Sequence, residues 1–290
     1  MAADPFLTEH WNMAFHDILV HLDRTNHSTV RLGLAADLAG AQKAGLIGLR
    51  IESHPHVPQA FRGGIKASAL EAQASAIEAD SKRIEDAFRA AAQSRGLVCE
   101  WWVDSLETDW AIERVCMRAR HASLTVVGQP ARDHDEELPG DDLLHALLLT
   151  SGRPVLVVPE VQTLPVPGTR IVLAWNGTRE SARAVADALP ILREAGAVQV
   201  LQVGTKSDSD LDSLSEIGRH LLRAGIRAET KALRAPDHDA GAVILGAAGE
   251  FGADLLVMGG YGHSRMREVV LGGATRHILK HAATCVMLSH

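Results

Sequence analysis

The chain has 290 residues, with 29 Lys and Arg against 36 Asp and Glu, a formal net charge of −7, 46% hydrophobic and 22% charged residues. That length suits about two domains, and the composition excludes wholesale disorder. The acidic balance argues against a general nucleic-acid binder, yet leaves room for a locally positive site for a small anion.

No run approaches about 18 apolar residues, so no transmembrane helix is expected. The opening Met1-Ala2-Ala3-Asp4-Pro5 has no basic start before an apolar run, so no signal peptide is expected. Cys99, Cys116 and Cys285 form no CxxC pair, which argues against a disulfide framework or zinc site and fits a reducing cytoplasm. One Tyr and five Phe are too few for base-stacking platforms.

In chain order, 17–23 is a short apolar run that reads as a buried parallel strand, followed by a helix over 28–44 and a second strand over 46–51. The Ala-rich 67–93 reads as one long helix, and 97–103, 124–128 and 155–158 as three further strands. The stretch 159–168 carries Pro159, Pro165 and Pro167, lacks a helical period and reads as a linker. The order then recurs: strand 170–176, helix 180–195, and strands 198–203, 226–233, 255–259 and 286–288. Strands alternating with helices predict βαβ units, a mainly parallel sheet and helices on both faces. The chain therefore divides into a first domain (14–158), the linker (159–168) and a second domain (169–290), two copies of one unit that suggest an internal pseudo-dimer.

The most informative pattern follows the fourth strand of the second half. Met258-Gly259-Gly260-Tyr261-Gly262 leaves the strand, nine residues intervene, and Gly272-Gly273-Ala274-Thr275 opens a helical segment. Ligands of open α/β sheets sit beyond the carboxyl ends of the strands. Glycines there let backbone N–H groups approach an anion, and a following helix N-terminus adds unpaired N–H groups and a favourable dipole. Thr275 is placed to cap that helix and offer a hydroxyl, and His263, Arg265 and Arg276 to add positive charge. Glycines that only make turns would give the same count.

Gly259-x-x-Gly262, nine residues, then Gly272 resembles the G-x2-G-x9-G-(S/T) signature of the universal stress protein (UspA) family, in its tandem two-domain bacterial form. Asn176-Gly177-Thr178 resembles that family's D-G-S turn after strand one. The resemblance implies two Rossmann-like (adenine nucleotide alpha hydrolase-like) domains. Each would be a five-stranded mainly parallel sheet, and the two would pair through their last strands. It also implies a cytoplasmic, usually dimeric, stress-response regulator that binds ATP, with or without Mg, or another adenine nucleotide. Gly259, Gly262, Gly272, Gly273 and Ala274 would line the ribose and phosphates, Asn176 and the Val203 backbone would face the adenine, and Met258 and Thr275 complete the set of cofactor-binding residues. The chain departs from the pattern at Gly273, where the family has Ser or Thr, and at Asn176, where it has Asp. A carboxamide oxygen can still accept from the adenine amino group.

Gly259 stands 131 positions after Gly128, and Cys285 the same distance after Pro154, so the loop keeps its length in both halves. At that offset Gly262 becomes Ala131, and Gly272 and Gly273 become Asp141 and Asp142, with Asp133, Asp135, Glu136 and Glu137 close by. Carboxylates there would repel phosphates. The first half, although it keeps Asp23, is expected to bind no nucleoside polyphosphate.

Neither a P-loop, a GxGxxG after a first strand, nor a GxSxG elbow is present. A binding protein is therefore expected rather than an enzyme, with a nucleotide-independent scaffold as the alternative and a slow ATPase as the weaker one. An unidentified protein partner is expected, and neither nucleic acid nor membrane. His54-Pro55-His56 and the His277/His281 pair lack further ligands in sequence, so no metal site is expected. Trp101 and Trp102 should point to opposite sheet faces.

Overall fold

The computed structural model describes residues 15–54, 67–130, 138–160, 166–204, 208–234, 240–260 and 273–290. Its first half contains β1 (Asp17–Leu22), α1 (His27–Gln42), β2 (Gly45–His54), α2 (Ala67–Ser94), β3 (Cys99–Glu107), a 3-10 turn (Thr108–Trp110), α3 (Ala111–Ala119), β4 (Leu124–Gly128), α4 (Gly140–Thr150) and β5 (Val155–Val158). The second half contains β6 (Arg170–Ala174), α5 (Arg179–Leu192), β7 (Ala197–Val203), α6 (Asp208–Arg223), β8 (Ala228–Leu233), α7 (Ala240–Phe251), β9 (Leu255–Gly259), α8 (Gly273–His281) and β10 (Cys285–Ser289).

All ten strands form one sheet in the order β3-β2-β1-β4-β5-β10-β9-β6-β7-β8. Every pairing is parallel except β5 with β10, where Val157 faces Val286, Leu156 faces Met287 and Val155 faces Leu288. Each half thus begins on a central strand, winds outward, then crosses to the other side. The two last strands, wholly buried, join the halves. Unpaired, they would expose a flat apolar edge. The Gln129 side-chain amide adds a second tie, donating to the Leu279 carbonyl at 2.6 Å, and the Gln42 amide donates to Glu194 at 2.9 Å.

Side chains alternate between two cores, as a sheet covered on both faces requires. Ile18 and Val20 face α1, α2, α5 and α6, whereas Leu19 faces the side of α3, α4, α7 and α8. The long α2 buries Ile84, Phe88 and Ala92, four residues apart, and carries ion pairs such as Arg89–Glu85 on its solvent side. Trp101 lies beneath α2 against Phe88, with ring centroids 5.2 Å apart. Trp102 is on the other face, under the Arg118 guanidinium. No helix among the described residues is long and apolar enough to cross a membrane.

Candidate functional site

Because β6 lies between β9 and β7, the chain reverses direction across the sheet beside it. The crevice such a reversal leaves lies at the carboxyl ends of β6 and β9. Asn176 follows β6, Val203 ends β7, Met258 and Gly259 end β9, and Gly273, Ala274 and Thr275 open α8. Gly262 and Gly272, with His263 and Arg265, lie outside the described residues.

These positions serve different purposes. A β-carbon on Gly259 would fall 2.6 Å from the backbone of Glu180 and Ser181, so this glycine lets the first turn of α5 sit on the end of β9. Gly273 is the opposite case: it is exposed, and a β-carbon there would meet no atom of the described residues within 4 Å. It opens α8, where the first N–H groups of a helix have no intrahelical partner. Met258 is 6% exposed and Val203 packs on the same core, so both offer backbone only.

Two expectations need correction. Thr275 is the third residue of α8 and is buried, so it does not cap the helix. Asn176 is exposed, but its side-chain oxygen accepts from the Thr178 hydroxyl at 2.8 Å and the Thr178 N–H at 3.3 Å. That oxygen is therefore already engaged, and the outward group is the amide nitrogen. Thr178 in turn caps α5 by accepting from the Ser181 N–H. Burial pushes the Glu180 carboxyl up, but hydrogen bonds from Arg179, its own N–H and Thr178 hold it below its ordinary value.

Sequence reasoning missed Gly241. A β-carbon there would fall 2.9 Å from the Ala274 carbonyl oxygen and from the His277 β-carbon, so α7 packs directly on the first turn of α8. The available signal was the run of small residues Ala240-Gly241-Ala242.

The first half presents the same crevice between β1 and β4, with different contents. The Asp23 carboxylate makes the same turn, accepting from the Thr25 hydroxyl and, at 2.9 Å, from its N–H. Its second oxygen accepts from Arg31 Nη2 at 2.7 Å. The Arg31 side chain is 5% exposed. Its Nη1 lies so close to Gly128 that a β-carbon there would be 2.4 Å away. Burial raises the Asp23 carboxyl, but Arg31 and His21 outweigh it and bring it down to about 2. Burial, helped by Arg31 and Arg50 and opposed by Asp23, brings His21 down to about 4. The remaining cavity, lined by Asp23, Thr25, His27, Arg31, Gly128 and Gln129 among others, is about 30 Å³. Asp141 and Asp142 occupy the first turn of α4, where they favour the helix and oppose a phosphate. Ala131, Asp133, Asp135, Glu136 and Glu137 lie outside the described residues.

Elsewhere, His277 and His281 stack with ring centroids 4.4 Å apart on α8. No group of three metal-ligating side chains gathers among the described residues. Pro55 and His56 are outside them. Burial pushes the Cys285 thiol up to about 12, the state of an inert core cysteine.

The Universal stress protein family model matches residues 168–290. The match covers the second half of the chain and not the first. A universal stress protein from Archaeoglobus fulgidus DSM 4304 shares the fold over both halves. It has a TM-score of 0.74 and 13% identity, with 94% of this chain and 98% of that chain covered. A putative universal stress protein from Pseudomonas aeruginosa UCBPP-PA14 is similar with a TM-score of 0.58 and 15% identity, over 97% of this chain and 95% of that one. No curated protein sequence matches the chain. The matched residues are thus the half that contains the exposed Gly273.

Proposed function

We propose that the second half binds a nucleotide, ATP with or without Mg or another adenine nucleotide, and that the first half binds none. The contrast between the helix starts of the two halves carries this reading. The first turn of α8 starts with an exposed glycine and carries no acidic residue, whereas that of α4 starts with Gly140 and carries Asp141 and Asp142. The phosphate end of such a ligand fits, because unpaired N–H groups and the positive end of the helix dipole favour negative charge. Gly273 and Ala274 would hold the phosphates, with Gly262 and Gly272 beside them. The Val203 backbone and Asn176 would face the base. The chain would act by changing shape or partners when the nucleotide binds, rather than by turnover. On this reading the division falls at 159–168, and the protein works in the cytoplasm, as a homodimer or with another protein.

The test is Gly273→Asp, which copies the first half's Asp142. It should weaken MgATP binding at least tenfold while leaving thermal stability unchanged, because an acidic residue suits a helix start. Unchanged affinity would refute the site.

A nucleotide-independent scaffold is the second reading, favoured by the 28-residue α2, whose outer face is exposed between the buried Ile84, Phe88 and Ala92. It predicts an unchanged partner set whether or not nucleotide is present.

A further inference from the structure

We propose that Asn176 makes the cleft favour a base edge that carries a hydrogen-bond acceptor, so that a 6-oxopurine nucleotide binds more tightly than its 6-amino counterpart. This rests on the nucleotide reading of the cleft and concerns which base it takes.

The chain turns sharply after β6. The Thr178 backbone N–H can only donate, so the atom 3.3 Å from it must be the Asn176 oxygen. Exchanging oxygen and nitrogen would set two donors against each other and would cost the 2.8 Å bond in which the Thr178 hydroxyl donates. The first half supplies an internal check. Asp23, which has no such ambiguity, makes the same two bonds to Thr25 through one oxygen. Its other oxygen turns away and accepts from Arg31.

In Asn176 the atom that turns away is an NH₂ group with two donors and no acceptor capacity. No described residue hydrogen-bonds it. The arginine has gone as well: Ala184 stands 153 positions after Arg31, as Asn176 does after Asp23. The second half therefore presents a donor where the first half presents an acceptor already satisfied by a cation.

A 6-amino group brought to that nitrogen would face it donor to donor. A 6-oxo group would accept. The sequence-level expectation that the Asn176 oxygen reads an adenine amino group thus gives way to the reverse preference.

ATP and ITP share ribose and triphosphate, so comparing them isolates the base edge. Each is titrated calorimetrically into the full chain freed of co-purified nucleotide, and into Asn176→Asp. Asp23 shows that a carboxylate holds this turn, so the variant should fold, with an unchanged melting curve as the control. The expected result is ITP tighter than ATP by about fivefold to tenfold, the worth of one matched hydrogen bond, with the order reversed in Asn176→Asp. ATP tighter than ITP, and unaffected by the substitution, would overturn the base preference while leaving the nucleotide site standing. Binding of neither nucleotide would overturn the site itself, and the preference with it.

Discussion

Arg31 donates to Asp23 across 2.7 Å at the carboxyl end of β1, filling the crevice beside Gly128 with a guanidinium. The corresponding positions of the second half are Asn176, Ala184 and Gly259. A buried ion pair therefore stands at the strand end of one half where the other half has Asn176 and Ala184. It also sets the electrostatics of the first half, since Asp23, Arg31, His21 and Arg50 act on one another.

Removing one partner of that pair should cost far more than the pair itself is worth. Arg31→Ala leaves the mostly buried Asp23 carboxylate without its cation. A loss of about 3 kcal/mol in urea unfolding at neutral pH is expected. The variant should still bind no nucleotide in the first half, because Asp141 and Asp142 remain. Wild-type stability in Arg31→Ala would show that the pair is not buried in solution.

Acid should weaken the fold in two stages. His21 is lowered from 6.5 to about 4, so on acidification the unfolded chain takes up its proton first and stability falls from about pH 6.5 to pH 4. Asp23 is lowered from 3.8 to about 2, so its contribution is complete above about pH 4 and is lost as pH falls toward 2. Replacing the imidazole by an amide, His21→Gln, should flatten the melting temperature between pH 6.5 and 4 and leave the lower stage intact. An unflattened profile would assign the upper stage to another group.

The two strand-end glycines should respond unequally to a methyl group. In Gly128→Ala the new carbon meets the end of the flexible Arg31 side chain, which can shift. In Gly259→Ala it meets the backbone of Glu180 and Ser181, so α5 must move. Overpacking against fixed backbone costs about 1–3 kcal/mol. Chemical denaturation should rank Gly259→Ala as the less stable variant. The reverse order would contradict the packing described here.

Gly241 should matter to a site it does not line. Gly241→Ala places a carbon 2.9 Å from the Ala274 carbonyl and pushes on the first turn of α8. Nucleotide affinity should fall severalfold, with a smaller relative loss in Ala242→Val, one position along the same helix. Equal effects of the two would mean that α7 does not set the position of α8.

Much of this fold was legible because apolar runs and strand ends coincide where strands are buried on both faces. β4, β5 and β9 match their sequence-level limits, Leu124–Gly128, Val155–Val158 and Leu255–Gly259. β3 was read as ending at Val103 but runs to Glu107, because its ladder with β2 continues through Ser53–Leu106 and His54–Glu107. Backbone pairing there outlasts the apolar pattern. In the candidate site, the glycine spacing located the strand end and the helix start. It could not show that Gly259 serves packing and Gly273 openness, which depends on what stands opposite each. Arg31 gave no signal, since an arginine in a helix ordinarily reaches solvent. Asn176 did give one: a Thr two residues on marks a turn in which the side-chain oxygen bonds back to the chain.

The central claim is one nucleotide site per chain, in the second half. Calorimetric titration of MgATP into the full-length protein, freed of co-purified nucleotide, tests it most directly. Saturation is expected at about one nucleotide per chain, with affinity at least tenfold weaker in Gly273→Asp. Saturation at two per chain, or the absence of any binding heat across several temperatures, would contradict it.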